Sequence, residues 1–207
     1  MANILLISGF KYAGKDYIVS HGYASYVILR HPRRTQLNLP DPVNLTRMKF
    51  ATPLRSLLSP DGYFTPDGIS SVEFEHNKDN QCFLPYDGTM RKLFIEIARA
   101  TRLVDPTFFA KRLDMELANT DNVVITDWRY PNEHDYLHQH NNITTLRVHR
   151  EYDHHGKKLN MPSEQDDSEH SLDSFKTDFI ALPVKYYQDN YNGLIRRFPW
   201  ASKYVEY

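Results

Sequence analysis

The residues best suited to chemistry lie near the start of the chain, in Gly9-Phe10-Lys11-Tyr12-Ala13-Gly14-Lys15-Asp16. The string is G-x-x-x-x-G-K, with Asp where Ser or Thr ordinarily follows. Glycines let the backbone curl tightly, so that successive N–H groups converge on phosphate oxygens, and the positive end of a following helix adds to the attraction. Lys15 would then reach β- and γ-phosphates as a point charge. Asp16 offers a hard oxygen that suits Mg²⁺, directly or through water. Alternatively it is a helix-start carboxylate favoured by the dipole. Lys11 reads either as a second phosphate cation or as a solvated lysine.

A second candidate is Asp127, which closes the apolar run Val123-Val124-Ile125-Thr126. In open α/β sheets ligands gather beyond the carboxyl ends of the strands. A carboxylate there can hold Mg²⁺ through its water shell; the plainer alternative is a loop or cap carboxylate. Arg129, two residues on, either faces the same crevice or pairs with Glu133 at i+4. For an acceptor phosphate, Arg91, Arg129 and Arg55 stand out, because a planar guanidinium grips two oxygens at once. Arg91 opens a helical stretch, where the dipole disfavours a cation and hints at an anion nearby. Arg99 and Arg102, at i, i+3, read as a solvated face. Arg147 and Arg150 flank a polar segment and could reach a transferring phosphate or lie on the surface. His149, Asp153, His154 and His155 lack metal-ligand spacing and read as solvated.

These groups need rigid elements behind them. Asn3 to Ser8 is a short apolar run that suits a buried strand, and a helix is expected from about Gly14 to Tyr26. Residues 30–46 read as loop, Arg47 to Phe50 as a short strand, and Pro53 opens a helix. Turn formers crowd Ser59 to Thr89, which predicts irregular structure. Helical periodicity returns at Arg91 to Arg102, and Asp105-Pro106 reads as an N-cap with Pro at the first helical position. A helix from about Asn132, strands at Ile143–His149 and Asp178–Leu182, and a last helix at about Lys185 to Arg197 complete the pattern. Strands alternating with helices imply an open, parallel α/β sheet.

Composition bounds the partners. Twenty-five Lys+Arg against 26 Asp+Glu give a formal net charge of −1, which argues against duplex nucleic acid and anionic membrane as partners. No run approaches the ~18 apolar residues of a membrane span. The single Cys82 fits a reducing compartment. The expectation is a cytoplasmic protein, with one domain over residues 1–207.

Several short segments share a resemblance. The loop with its Asp16, together with Ile125-Thr126-Asp127-Trp128-Arg129-Tyr130-Pro131-Asn132-Glu133, resembles the deoxynucleoside monophosphate kinases of T4-like phages and large DNA viruses. Those belong to a P-loop superfamily that also holds animal-type phosphomevalonate kinase. Shorter similarities are Phe50-Ala51-Thr52-Pro53-Leu54, Asp105-Pro106-Thr107-Phe108-Phe109 and Ser168-Glu169-His170-Ser171-Leu172. The islands run from Leu6 to about Ile180; Tyr17 departs, since a small residue is usual after the Asp. The resemblance implies a P-loop NTPase-type three-layer sandwich with a central parallel sheet of about five strands. It also implies an acceptor-side region at about 59–90 and a lid at about 150–170.

The implied activity is ATP-dependent phosphorylation of deoxynucleoside monophosphates, with Mg²⁺, in the host cytoplasm if the source is viral. By this resemblance Gly9, Lys11, Ala13, Gly14, Lys15, Asp16 and Tyr17 hold the donor, and Asp16 and Asp127 the metal. Lys49, Phe50, Arg55, Arg91, Arg129 and Glu169 would take the acceptor, while Lys15, Arg91, Asp127, Arg129 and Arg150 serve catalysis. An acceptor phosphate is already deprotonated at pH 7, so no general base is needed and none of the ten histidines is given a catalytic role. The partner is a small nucleotide; a homodimer is left open. Phosphomevalonate as acceptor, and a non-enzymatic nucleotide-binding module, are the alternatives.

Overall fold

The computed structural model describes residues 1–31, 38–57, 89–150 and 167–183. The irregular region expected at 59–90, nearly all of the expected lid and the expected last helix lie outside the described residues. Contacts divide the chain into two compact units, Met1–Lys49 with Glu116–Tyr207, and Phe50–Met115.

The first unit carries an α/β fold built on a mostly parallel mixed sheet. Its strands are β1 (Asn3–Ser8), β2 (Tyr26–Arg30), β3 (Thr46–Met48), β4 (Asn122–Ile125), β5 (Asn142–Val148) and β6 (Phe179–Pro183). Their order is β2-β6-β5-β1-β4-β3. β1 lies centrally, parallel to β4 on one side, with Leu6 beside Ile125, and to β5 on the other, with Ser8 beside Arg147. A strand hydrogen-bonded on both sides and covered on both faces must be apolar throughout, and Ile4 to Ile7 are all fully buried.

Side chains alternate across the sheet. Leu5 and Ile7 of β1, Val124 of β4, Leu146 and Val148 of β5, and Phe179 and Ala181 of β6 form one core with Ile18 and Val19 of helix α1 (Lys15–His21). Ser8 and Arg147, out of phase with that set, belong to the opposite face. Helix α5 (Pro131–His138) packs on β5. Asp178, buried before β6, accepts hydrogen bonds from the Thr145 amide at 2.9 Å and hydroxyl at 2.8 Å, tying β5 to β6.

Two expectations need correction. The helix opened after the phosphate-loop candidate ends at His21, not Tyr26, because Gly22 turns the chain with φ 71. Tyr26–Arg30, partly assigned to that helix and partly to loop, is instead a strand antiparallel to β6, with Leu29 beside Ile180. The sheet is therefore five parallel strands plus an antiparallel edge, where about five parallel strands were expected. Tyr-Val-Ile-Leu is a good strand composition, but its hydrogen-bond partner lies some 150 residues downstream and left no local mark.

The second unit contains α2 (Thr52–Leu57), α3 (Met90–Val104) and most of α4 (Phe108–Glu116). α2 packs against α3, and the Arg102 guanidinium lies 4.5 Å from the centroid of the Phe109 ring. Thr89 caps α3 by accepting from the Lys92 amide at 3.2 Å. Asp105 accepts from the Thr107 amide and hydroxyl and from Lys111, closing a turn before α4 begins at Phe108.

Candidate functional site

The loop between β1 and α1 is strained in the manner its glycines permit. Gly9 has φ 146 and Gly14 φ 98. A Cβ on Gly9 would collide with the carbonyl oxygen of Val148, and one on Gly14 would sit 2.7 Å from the Tyr26 hydroxyl. Tyr12, with φ 66, carries a left-handed turn without being glycine, and its ring is 68% exposed beneath Lys11, whose Nζ stands 4.9 Å from the centroid. The Ala13 amide donates to the Phe10 carbonyl at 3.0 Å, so the chain doubles back before entering α1.

Lys15 folds over this loop. Its ammonium donates to the carbonyls of Gly9 and of Phe10, the latter at 2.9 Å. Trading a neutral carbonyl for a phosphate oxygen would strengthen the bond of such a cation. Tyr26 donates from its hydroxyl to the Gly14 carbonyl at 3.3 Å. Burial pushes the Tyr26 hydroxyl pKa upward, while the nearby Arg150 guanidinium works against that shift. Arg150 is half-buried just beyond β5.

Asp16 and the end of β4 are tied together. The buried Thr126 hydroxyl donates to Asp16 Oδ1 at 2.9 Å, across 110 residues of sequence. The bond brings the first turn of α1 to the segment that carries Asp127. Thr126 shares its parity with Val124 and so faces α1, whereas Asp127 starts the turn leaving the strand. Sequence reasoning singled out both carboxylates and passed over the threonine; Thr at the end of an apolar strand was its only signal. Among the described residues no cluster of three or more His, Cys, Asp or Glu could hold a metal. A Mg²⁺ that takes most of its oxygens from phosphates and water needs only one or two carboxylates from the protein.

Arg129 leads from this turn toward a different segment. Its guanidinium donates to the Ser168 hydroxyl at 2.8 Å, and Ser171 donates its hydroxyl to the Arg129 carbonyl. Glu133, fully buried at the third position of α5, accepts from the amides of Arg129 at 3.2 Å and Tyr130 at 3.1 Å. The i+4 relation therefore serves as a helix cap, which holds the Arg129 backbone in place. Arg147 reaches the same segment from β5, donating to the Leu172 carbonyl at 2.6 Å and to Asp173 at 2.5 Å. Its guanidinium also stands 5.6 Å from the Phe10 ring of the loop. His170 completes the group, with Nδ1 3.0 Å from Asp173 and its ring 5.6 Å from Phe10.

Gly9, Lys11, Ala13, Gly14, Lys15, Asp16, Tyr17, Asp127, Arg129 and Arg150 all belong to the first unit. Lys49 closes that unit in sequence and is half-buried. Phe50, Arg55 and Arg91 fall in the second unit. Phe50 is buried and Arg91 is half-buried in the first turn of α3, while the side chain of Arg55 is outside the described set. Glu169 has its backbone in the short helix α6 (Asp167–His170), and its side chain too lies outside the described set. His149, read as solvated, is buried, with its amide donating to the Ala181 carbonyl. Among the described residues no helix is long and apolar enough to cross a membrane.

Comparison with protein-family models finds no match, and comparison with curated proteins finds none either.

Proposed function

We propose that this chain is a P-loop kinase that transfers the γ-phosphoryl group of ATP to the phosphate of a deoxynucleoside monophosphate. The observation that carries the reading is the Gly9–Asp16 loop. It joins a buried central strand to a helix, holds Lys15 over its carbonyls, and is tied through Asp16 and Thr126 to the strand that leads to Asp127. The order of the five parallel strands is compatible with this fold, with β1 between β4 and β5.

Both reactants are polyanions, so the barrier is chiefly charge repulsion and misalignment. Lys15 and the loop amides hold the donor phosphates in line, and Arg150 adds positive charge beside the loop. Arg129 orients the acceptor phosphate through its guanidinium fork. Asp16 and Asp127 are the residues that would hold Mg²⁺, which when bound neutralises charge developing between the β- and γ-phosphates.

The test is a coupled ADP-release assay with Mg·ATP against deoxynucleoside and nucleoside monophosphates and phosphomevalonate. Turnover is expected with at least one deoxynucleoside monophosphate. Absence of turnover on every nucleotide sinks the proposal, and turnover on phosphomevalonate alone redirects it to an isoprenoid phosphate.

A further inference from the structure

Tyr17 and His21 form an exposed aromatic stack on the flank of α1. Their rings are parallel within 13°, with centroids 4.2 Å apart, and Tyr17 keeps 48% of its surface exposed. The stack is oriented, since His21 Nδ1 lies 3.1 Å from the Tyr17 carbonyl, which holds the imidazole plane in register with the phenol. Tyr26 borders Tyr17, with ring centroids 6.5 Å apart and planes at 50°, and is itself anchored on Gly14.

The placement matters because of its distance from the phosphate loop. At a rise of 1.5 Å per residue, Tyr17 lies roughly 3 Å and His21 roughly 9 Å along the helix axis from Lys15. A nucleotide whose phosphates occupy the loop has its base about one ribose and one phosphate away, on the same scale. Exposed aromatic rings at that distance offer a π-surface that any base can join.

We propose that the Tyr17–His21 stack, bordered by Tyr26, is the seat of the donor's nucleobase, so that α1 holds phosphates at its first turn and the base on its flank. This inference rests on the phosphate-loop reading. Stacking recognises the π-face and not the base edge, so adenine and guanine nucleotides bind this flank with similar strength.

The experiment is isothermal titration calorimetry of the full chain with Mg·ADP and with Mg·tripolyphosphate, which carries phosphates but no base. Tyr17→Ala is expected to weaken ADP about tenfold while changing tripolyphosphate affinity less than about twofold. Tyr17→Phe is expected to restore ADP binding to within about twofold of the parent. Equal losses for both ligands, or an unchanged ADP affinity in Tyr17→Ala, overturns the inference. Lys15→Ala separates the two ideas, because it must weaken both ligands if the loop holds phosphate. A parent chain that binds neither ligand, or a Lys15→Ala variant that binds both normally, removes the phosphate-loop reading and the base site with it.

Discussion

Arg129 and Arg147 reach the same stretch, Ser168 to Asp173, from opposite neighbours of the central strand, yet they are committed to it very differently. Arg147 is buried on β5 and spends its fork on a backbone carbonyl and a carboxylate. Arg129 is half-buried beyond β4 and shares a hydrogen bond with a neutral serine hydroxyl. A guanidinium bonded to a carboxylate inside the protein is costly to extract, because its partner would be left uncompensated. One bonded to a hydroxyl can exchange that partner for a phosphate and gain a charge-assisted bond. Arg147 is thus a strut, and on the proposed function Arg129 is the arginine that would take the acceptor phosphate.

The largest effect that would break this distinction is on stability. Arg147→Ala is expected to cost about 2–4 kcal/mol in chemical denaturation, below the full loss of a buried pair because Asp173 keeps 41% of its side chain exposed. Arg129→Ala is expected to cost less than ~1 kcal/mol in the same experiment. Its expected mark is instead a fall of about 10²-fold in kcat/KM for the best acceptor, worth ~2.7 kcal/mol of transition-state binding. If the two variants exchange phenotypes, the assignment of strut and ligand is wrong.

A smaller effect concerns the tie between α1 and β4. Thr126→Val keeps the shape of the buried side chain but removes the donor to Asp16, and is expected to cost about 1 kcal/mol. If Asp16 helps to hold Mg²⁺, the same variant raises the Mg²⁺ concentration needed for half-maximal rate. A loss of stability with no change in Mg²⁺ dependence would make the bond purely architectural.

The smallest effect is on the acid side of the stability profile. Burial pushes the Asp173 carboxyl upward, but its bond to His170 and the charge and bond of Arg147 outweigh this and hold it below the usual carboxylate value. A folded-state pKa below the unfolded value means that the stabilisation is fully present above the unfolded pKa. It is lost as pH falls through the folded one. Unfolding midpoints measured from neutral pH down to about 3 should fall less steeply in Asp173→Asn than in the parent. An unchanged acid limb would show that the Arg147–Asp173 bond carries little of the strut's strength.

Much of the glycine-bearing loop was legible because its signals are local. A strand, two glycines, a lysine and a helix follow one another within Asn3–His21, and each needs only its immediate neighbours to be recognised. Arg129 was legible as a candidate, but its partner was not. Glu133 sits at the helical spacing of a salt bridge, and the structure uses it to cap α5 through backbone amides. Spacing alone cannot say whether a carboxylate meets a guanidinium or an amide.

By itself the sequence determined the buried strands, the glycine-bearing loop and the carboxylate-ended run at Asp127, since these depend on backbone propensity and the burial of adjacent apolar residues. Only the tertiary structure decided that Tyr26–Arg30 would be an antiparallel edge, that Thr126 would hold Asp16, and that Arg147 would meet Asp173 and Arg129 Ser168. Each of those depends on a pairing between residues 39 to more than 100 positions apart, except for the 26 that separate Arg147 from Asp173. Such pairings are set by strand order and register, which are properties of the folded sheet and leave no imprint on either partner's neighbours.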